Sequence, residues 1–186
     1  MKKSFIIMLL VSAIVFTGCG AKNEEAKEET KTEYFDFTAT EIVNKVSTDW
    51  LIDFTPITVV DNEEKIEKIA TFNSITDVFN TDKDDIDAMI HYQFHYDDTT
   101  HKVSYISFFM DRNSTKAAER YLYHIDAIAL SIDPNANTDN IFDAIEKGFN
   151  DYDFAIYKGE NFELYASRSD EYFNVSFTPI ANTKGD

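Results

Sequence analysis

The chain has 186 residues and a formal net charge of −17 at neutral pH, from 34 acidic and 17 basic side chains. The phosphates of nucleic acids and anionic lipid headgroups repel so acidic a surface, which argues against either as a direct partner. A single cysteine excludes an intramolecular disulfide. Because 44% of the residues are hydrophobic, the chain can fold around a core, and we expect it to need no metal or other cofactor for this.

The first nineteen residues have the layout of a secretory signal. Lys2 and Lys3 form a basic start, and an apolar run follows at residues 5–16. As a helix this run would rise only about 18 Å, which is too short to cross a bilayer. The segment closes with Thr17, Gly18 and Cys19.

This ending resembles the lipobox of bacterial lipoproteins, although Phe16 stands where leucine is usual in that family. The resemblance implies cleavage between Gly18 and Cys19 and attachment of a diacylglycerol to the sulfur of Cys19. The mature protein would then be anchored by lipid to the outer side of the cell membrane. The scarcity of arginine beside abundant lysine, asparagine and isoleucine favours a low-GC Gram-positive source.

We divide the chain into three parts. Residues 1–18 are a signal peptide, residues 19–33 are a lipidated cysteine with a flexible acidic tether, and residues 34–186 are one globular domain. The tether has no large apolar side chain and cannot offset the entropy of ordering. Loss of the signal peptide removes two lysines and no acid, which lowers the net charge from −17 to −19.

In the first half of the domain, Thr38 and Glu41 form a capping box, which predicts a helix from Ala39 to Asp53. Pro56 follows that helix. Two strands are expected at 57–60 and 66–72, then an acidic loop at 80–87. A hairpin is expected over 88–109, because apolar and polar residues alternate there.

In the second half, Asn113 and Ser114 are predicted to cap a helix that ends before Asp133 and Pro134. The pattern then predicts a third helix at 139–149 and strands at 154–158, 162–167 and 172–178. The predicted elements form two halves, each of which is one or two helices followed by a meander of strands. We expect an α+β fold, an antiparallel sheet of six to seven strands with about three helices packed on one face.

Residue types that carry catalysis or bind metals give weak patterns. On a strand, His91 and His95 would lie roughly 13 Å apart and could not share one ion. The series Asp133, Asn135, Asn137 and Asp139 begins like a calcium loop but lacks the glycine and glutamate such a loop needs, which favours helix capping. The sequence contains no Gly-x-Ser-x-Gly motif and no phosphate-binding glycine loop. We therefore expect no catalytic residues and no metal site.

Tyrosines in the predicted strands are the remaining clue, because tyrosine is favoured at binding surfaces. The candidate partner face contains Tyr92, Tyr96, Tyr105, Tyr157 and Tyr165. These observations favour a lipid-anchored, non-catalytic module that binds a protein or peptide. The alternatives are a cell-envelope hydrolase and an inhibitor or immunity-type protein whose acidic surface binds a cationic partner.

Overall fold

The structure is a computed structural model that describes residues 32–62, 67–85, 88–114 and 116–180. The predicted signal peptide, Cys19 and most of the predicted tether lie outside these ranges. The described residues all belong to one compact unit. Within them, no helix combines the length and apolar character needed to cross a bilayer.

Three helices and eight strands make up the described part of the chain. The helices are α1 (Ala39–Trp50), α2 (Ala117–Ile132) and α3 (Thr138–Asp151). The strands are β1 (Asp53–Phe54), β2 (Thr58–Asn62), β3 (Glu67–Thr76), β4 (Ile90–Asp97), β5 (Val103–Asp111), β6 (Phe154–Lys158), β7 (Phe162–Arg168) and β8 (Tyr172–Pro179).

All eight strands form one antiparallel sheet in the order β1-β3-β4-β5-β8-β7-β6, with β2 also paired to β3. The predicted α+β class is confirmed, and the helices pack against the sheet. The two meanders join through their last strands, β5 and β8, with Phe108 opposite Val175 and Met110 opposite Phe173. The final strand of each half therefore lies at the centre of the sheet.

The sequence places most of the helix ends correctly. The capping box of Thr38 and Glu41 is formed, and Asn137 caps α3 by accepting from the backbone N–H of Asn140. Helix α1 ends three residues earlier than predicted because Leu51 adopts a left-handed conformation, with φ of 53°.

The predicted cap of α2 is wrong. The N-cap is Lys116, with φ of 54° and no side-chain hydrogen bond. Asn113 and Ser114 form the turn after β5, where Asp111 accepts from the backbone N–H of Asn113 and from the hydroxyl of Ser114. Local turn bonds of this kind compete with helix capping for the same residue types.

The two faces of the sheet differ. Alternate side chains of the strands pack under the helices, shown by the ring contacts of Phe108 with Tyr121 and of Phe173 with Phe149. The other side chains form what we call the open face, which no described helix covers. Its central row runs across neighbouring strands as Ile156, Tyr165, Ser176, Ser107, Gln93 and Thr71.

Candidate functional site

The five tyrosines predicted to form one partner face lie on two faces of the sheet. Tyr92 is only 1% exposed and packs against His124 of α2. Tyr96 and Tyr157 also lie on the helix-covered face, whereas Tyr105 and Tyr165 lie on the open face. Successive side chains of a strand point to opposite faces of the sheet, so Tyr92 points toward the helices while Tyr105 and Tyr165 point away from them. The prediction of a single tyrosine face is therefore wrong, and Tyr165 is its most exposed member.

His91 and Asp133, the first residue of the series that begins like a calcium loop, have structural partners. The Nδ1 atom of His91 lies 2.6 Å from Oδ1 of Asn73, and burial lowers the pKa of His91. Asp133 accepts hydrogen bonds from the backbone of Asn135 and the side chain of Asn161. Among the residues that the structure describes, no three His, Cys, Asp or Glu side chains converge to hold a metal ion.

A buried polar network that the sequence analysis missed connects β4, α2 and the loop after β3. The side chains of Asp77, Arg120 and His124 are each 0% exposed. Oδ2 of Asp77 accepts from Nε of Arg120 at 2.8 Å and from Nε2 of His124 at 3.0 Å. Its Oδ1 accepts the backbone N–H groups of Phe79 and Asn80 at 2.8 and 2.9 Å. The carboxylate thus has four donors and one buried positive partner.

His124 also contacts Tyr92, whose hydroxyl lies 2.5 Å from Nδ1 of the ring. Because a carboxylate only accepts, Nε2 of the ring carries the proton shared with Asp77, and Nδ1 accepts from the Tyr92 hydroxyl. Burial lowers the pKa of His124, which keeps the ring neutral, while the hydrogen bond to Asp77 acts in the opposite direction. Burial raises the pKa of Tyr92 well above its ordinary value.

Charge balance explains why this network is tolerated. Burial raises the pKa of Asp77, but the hydrogen bond from His124 and the charges around it outweigh burial and hold that pKa well below its ordinary range. Nη2 of Arg120 lies 2.8 Å from Asp77 Oδ2 without hydrogen-bond alignment, so the ion pair is electrostatic there. A hydroxyl, an imidazole and a carboxylate in sequence can relay a proton, yet their burial closes this relay to a substrate.

A second arrangement is open to solvent and lies on the helix-covered side of the sheet, between α2, α3 and β8. We call it the α2–α3 groove. It has a volume of about 370 Å³, within the usual range for small-molecule sites. Its walls are formed by Arg112, Ala118, Tyr121, Leu122, Phe142, Ile145, Glu146, Phe149, Arg168 and Phe173.

Three stacked aromatic rings line the groove. Phe173 lies between Tyr121, at 4.7 Å between ring centroids, and Phe149, at 6.3 Å, and both pairs are close to parallel. The hydroxyl of Tyr121 donates to the backbone carbonyl of Asn174 at 2.9 Å, which fixes the first ring. Because this hydrogen bond and the ring contacts hold the aromatic side chains in place, the apolar wall of the groove exists without a bound ligand.

Two guanidinium groups lie over these rings. The Cζ atom of Arg112 is 5.2 Å from the centroid of Phe173, and that of Arg168 is 5.0 Å from the centroid of Phe149. Both contacts are in the range of cation–π interactions. Nε of Arg168 donates to Asp153 at 2.7 Å, so its charge is largely paired. Within the described residues, Arg112 forms no ion pair, and its side chain donates to the carbonyl of Ser169.

Arginine is rare in this acidic chain, and the structure gives its three copies two different roles. Arg120 is buried in the network, while Arg112 and Arg168 both lie at the groove. The groove lining contains one acid, Glu146. Since guanidinium groups form directional pairs with carboxylates, the site suits a molecule with an apolar body and one carboxylate.

Comparison of this chain with family models, with curated proteins and with solved structures found no match.

Proposed function

We propose that this chain is a non-catalytic binding module, held by lipid on Cys19 at the outer face of the cell membrane, that binds small carboxylates with an apolar or aromatic body in the α2–α3 groove. The observation that carries the proposal is the guanidinium of Arg112, which forms no ion pair within the described residues and lies above the ring of Phe173 that stacks on Tyr121. The rings provide apolar contact area, and the guanidinium provides a charged donor at one end.

The chemistry of the ligand follows from this pairing. Arginine has five N–H donors, and the Arg112 side chain uses one of them within the described residues, so others can bind a carboxylate. A charge-assisted hydrogen bond of this kind contributes about 1.5–3 kcal/mol. Glu146, the one acid of the groove lining, would repel a second negative charge on the ligand.

Fluorescence titration of the full chain in phosphatidylcholine nanodiscs tests the proposal, with 2-naphthylacetate and its uncharged amide as probes. We expect the carboxylate to bind about tenfold more tightly than the amide, because about 1.4 kcal/mol corresponds to a factor of ten. In Arg112→Met the preference should disappear while the amide binds as before. Lys68→Met, which removes a positive charge on β3, is the matched control and should keep the preference.

The outcomes separate the parts of the proposal. If neither probe binds, the groove is not a ligand site of this class. If both bind equally, or if Arg112→Met keeps the preference for the carboxylate, the assigned role of Arg112 is wrong.

A further inference from the structure

We propose that β6 pairs antiparallel with the β6 strand of a second copy of this chain, around a two-fold axis at Ile156, so that two sheets become one. This surface lies at the edge of the sheet, and its apolar side chains are on the face opposite the α2–α3 groove, so the inference does not depend on the proposed function. It rests on the backbone of β6, on its exposed side chains and on the complementarity of this strand to itself.

The backbone of β6 has hydrogen-bonding groups that the sheet does not use. Within the part of the chain that the structure describes, β6 pairs only with β7. The backbone N–H of Arg168 donates to the carbonyl of Asp153, and the N–H of Gly159 donates to that of Phe162, so the odd-numbered residues of this segment bond to β7. In an antiparallel pair every second residue bonds to the neighbour, so the intervening residues direct N–H and C=O away from it. The residues with outward groups are Phe154, Ile156 and Lys158.

β6 and the adjacent strand β7 expose apolar side chains on the open face. Ile156 is 57% exposed, and Phe154 and Tyr165 are each 41% exposed. The ring of Phe154 stacks on Tyr165 at 6.1 Å and contacts Tyr152 at 5.9 Å. We call these four residues the β6 patch. Contiguous exposed apolar residues of this kind usually mark an interaction surface.

The opposite edge of the sheet is formed by β1 and β2, which both pair with β3. At the far edge, β1 is two residues long, its register is irregular, and Pro56 separates it from β2. Short strands, irregular pairing and proline are the common devices that prevent edge-to-edge association. β2, like β6, has five residues in unbroken register with its neighbour and contains no proline. β6 therefore lacks the features that protect β1, and it differs from β2 in its aromatic residue Phe154 and its basic residue Lys158.

The β6 strand is complementary to itself in one register. With the two-fold axis at Ile156, each Ile156 lies opposite its symmetry copy and each Phe154 lies opposite Lys158 of the second copy. All of these residues have outward backbone groups, so each pair exchanges both of its N–H···O bonds. The ammonium of Lys158 then lies beside the aromatic ring of Phe154, a favourable cation–π arrangement. A second copy satisfies the outward backbone groups and places its own Ile156 and Lys158 beside Ile156 and Phe154 of the β6 patch.

Disulfide trapping in the full chain tests this register. Two residues in a hydrogen-bonded antiparallel pair have Cα atoms about 5.5 Å apart, within the span of a disulfide. Ile156→Cys should therefore form a covalent dimer under mild oxidation. Val60→Cys is the matched control, since Val60 is 50% exposed on β2 at the other edge. The unaltered chain, whose single cysteine is Cys19, gives the background.

We expect Ile156→Cys to dimerise at least about tenfold faster than Val60→Cys, because only the proposed register holds its two sulfur atoms at bonding distance. Equal rates would mean that random collision forms the disulfide, and the proposal would be overturned. Crosslinking of Ile156→Cys to another protein in place of itself would overturn it as well, since a foreign strand would then occupy the edge.

A variant without an added cysteine gives an independent measurement. Ile156→Lys places two positive charges opposite each other at the two-fold axis and should weaken self-association in sedimentation velocity by at least about tenfold, while its circular dichroism stays unchanged. Association of the unaltered chain should strengthen as salt is raised, because each copy carries a net charge of −17 and salt screens the repulsion. A dimer that dissociates with added salt, or that persists in Ile156→Lys, would contradict the assignment.

Discussion

Replacement of Asp77 by asparagine isolates the electrostatic role of the buried network. Asparagine has nearly the same shape, and its side-chain oxygen can still accept the backbone N–H groups of Phe79 and Asn80. What disappears is the negative charge opposite Arg120, whose side chain is 0% exposed. The substitution therefore leaves a buried guanidinium without its counter-charge.

We expect Asp77→Asn to lower the free energy of unfolding by about 3–5 kcal/mol, the usual cost when one partner of a buried ion pair is removed. This is a large part of the total stability of a domain of this size. The double variant Asp77→Asn with Arg120→Met removes both charges and should recover much of the loss. Recovery occurs because the unpaired charge, and not the missing contact, causes most of the damage.

Urea unfolding measures these differences, and Trp50 is a suitable reporter because it is the single tryptophan and packs edge-on against Tyr123 of α2. A loss within about 1 kcal/mol for Asp77→Asn would refute the reasoning, since an ordinary point substitution costs about that much. A double variant no more stable than Asp77→Asn would show that packing, and not charge, governs the site.

Three further predictions follow from pKa directions and close packing. Burial lowers the pKa of His124, so on acidification the unfolded chain takes up a proton at this residue near pH 6.5 while the folded chain does not. The free energy of unfolding should therefore fall between pH 7 and pH 5 by up to about 1.4 kcal/mol per pH unit. In His124→Gln the urea midpoint should fall less over the same range. Burial raises the pKa of Asp126 to about 6, so the folded state favours the protonated carboxyl and its contribution is lost as pH rises through that value. Asp126→Asn should therefore raise stability by about 1 kcal/mol at pH 7.5, a figure reduced for its half-exposed position, and a gain that persists below pH 4 would contradict this origin. Gly148→Ala should lower the melting temperature, because the added Cβ would lie 2.4 Å from the carbonyl oxygen of Phe154, whereas Ala144→Gly on the same helix tests the effect of glycine alone.

The elements of this fold could be predicted where the sequence alternates or repeats regularly. The bounds of β6 agree with the prediction, and those of β7 and β8 differ from it by one residue each, because single turns separate these strands. Strand β1 could not be predicted, since two residues carry no periodicity. The cap of α2 was predicted at the wrong residue because Asn113 and Ser114 serve a turn as readily as a helix.

The buried network could be suspected from one local signal only. Arg120 and His124 lie four residues apart within the apolar stripe of α2, which places two polar side chains toward the core. Their partner Asp77 lies in a loop more than forty residues earlier, and nothing in its own surroundings distinguishes it from the other acids of this chain. Only the folded arrangement shows that this carboxylate has a buried cation.

The α2–α3 groove depends on a strand pairing that no local pattern contains. Arg112 follows β5 and lies over Phe173 of β8, and these strands are neighbours although α2, α3, β6 and β7 separate them in the chain. In the observed register Phe173 lies opposite Met110 and faces the helices. A shift of β8 by one residue would turn Phe173 to the open face and separate it from Tyr121 and Phe149. The stack of rings and the guanidinium above it thus exist only in this register, which explains why the sequence predicted the strands but not the site between them.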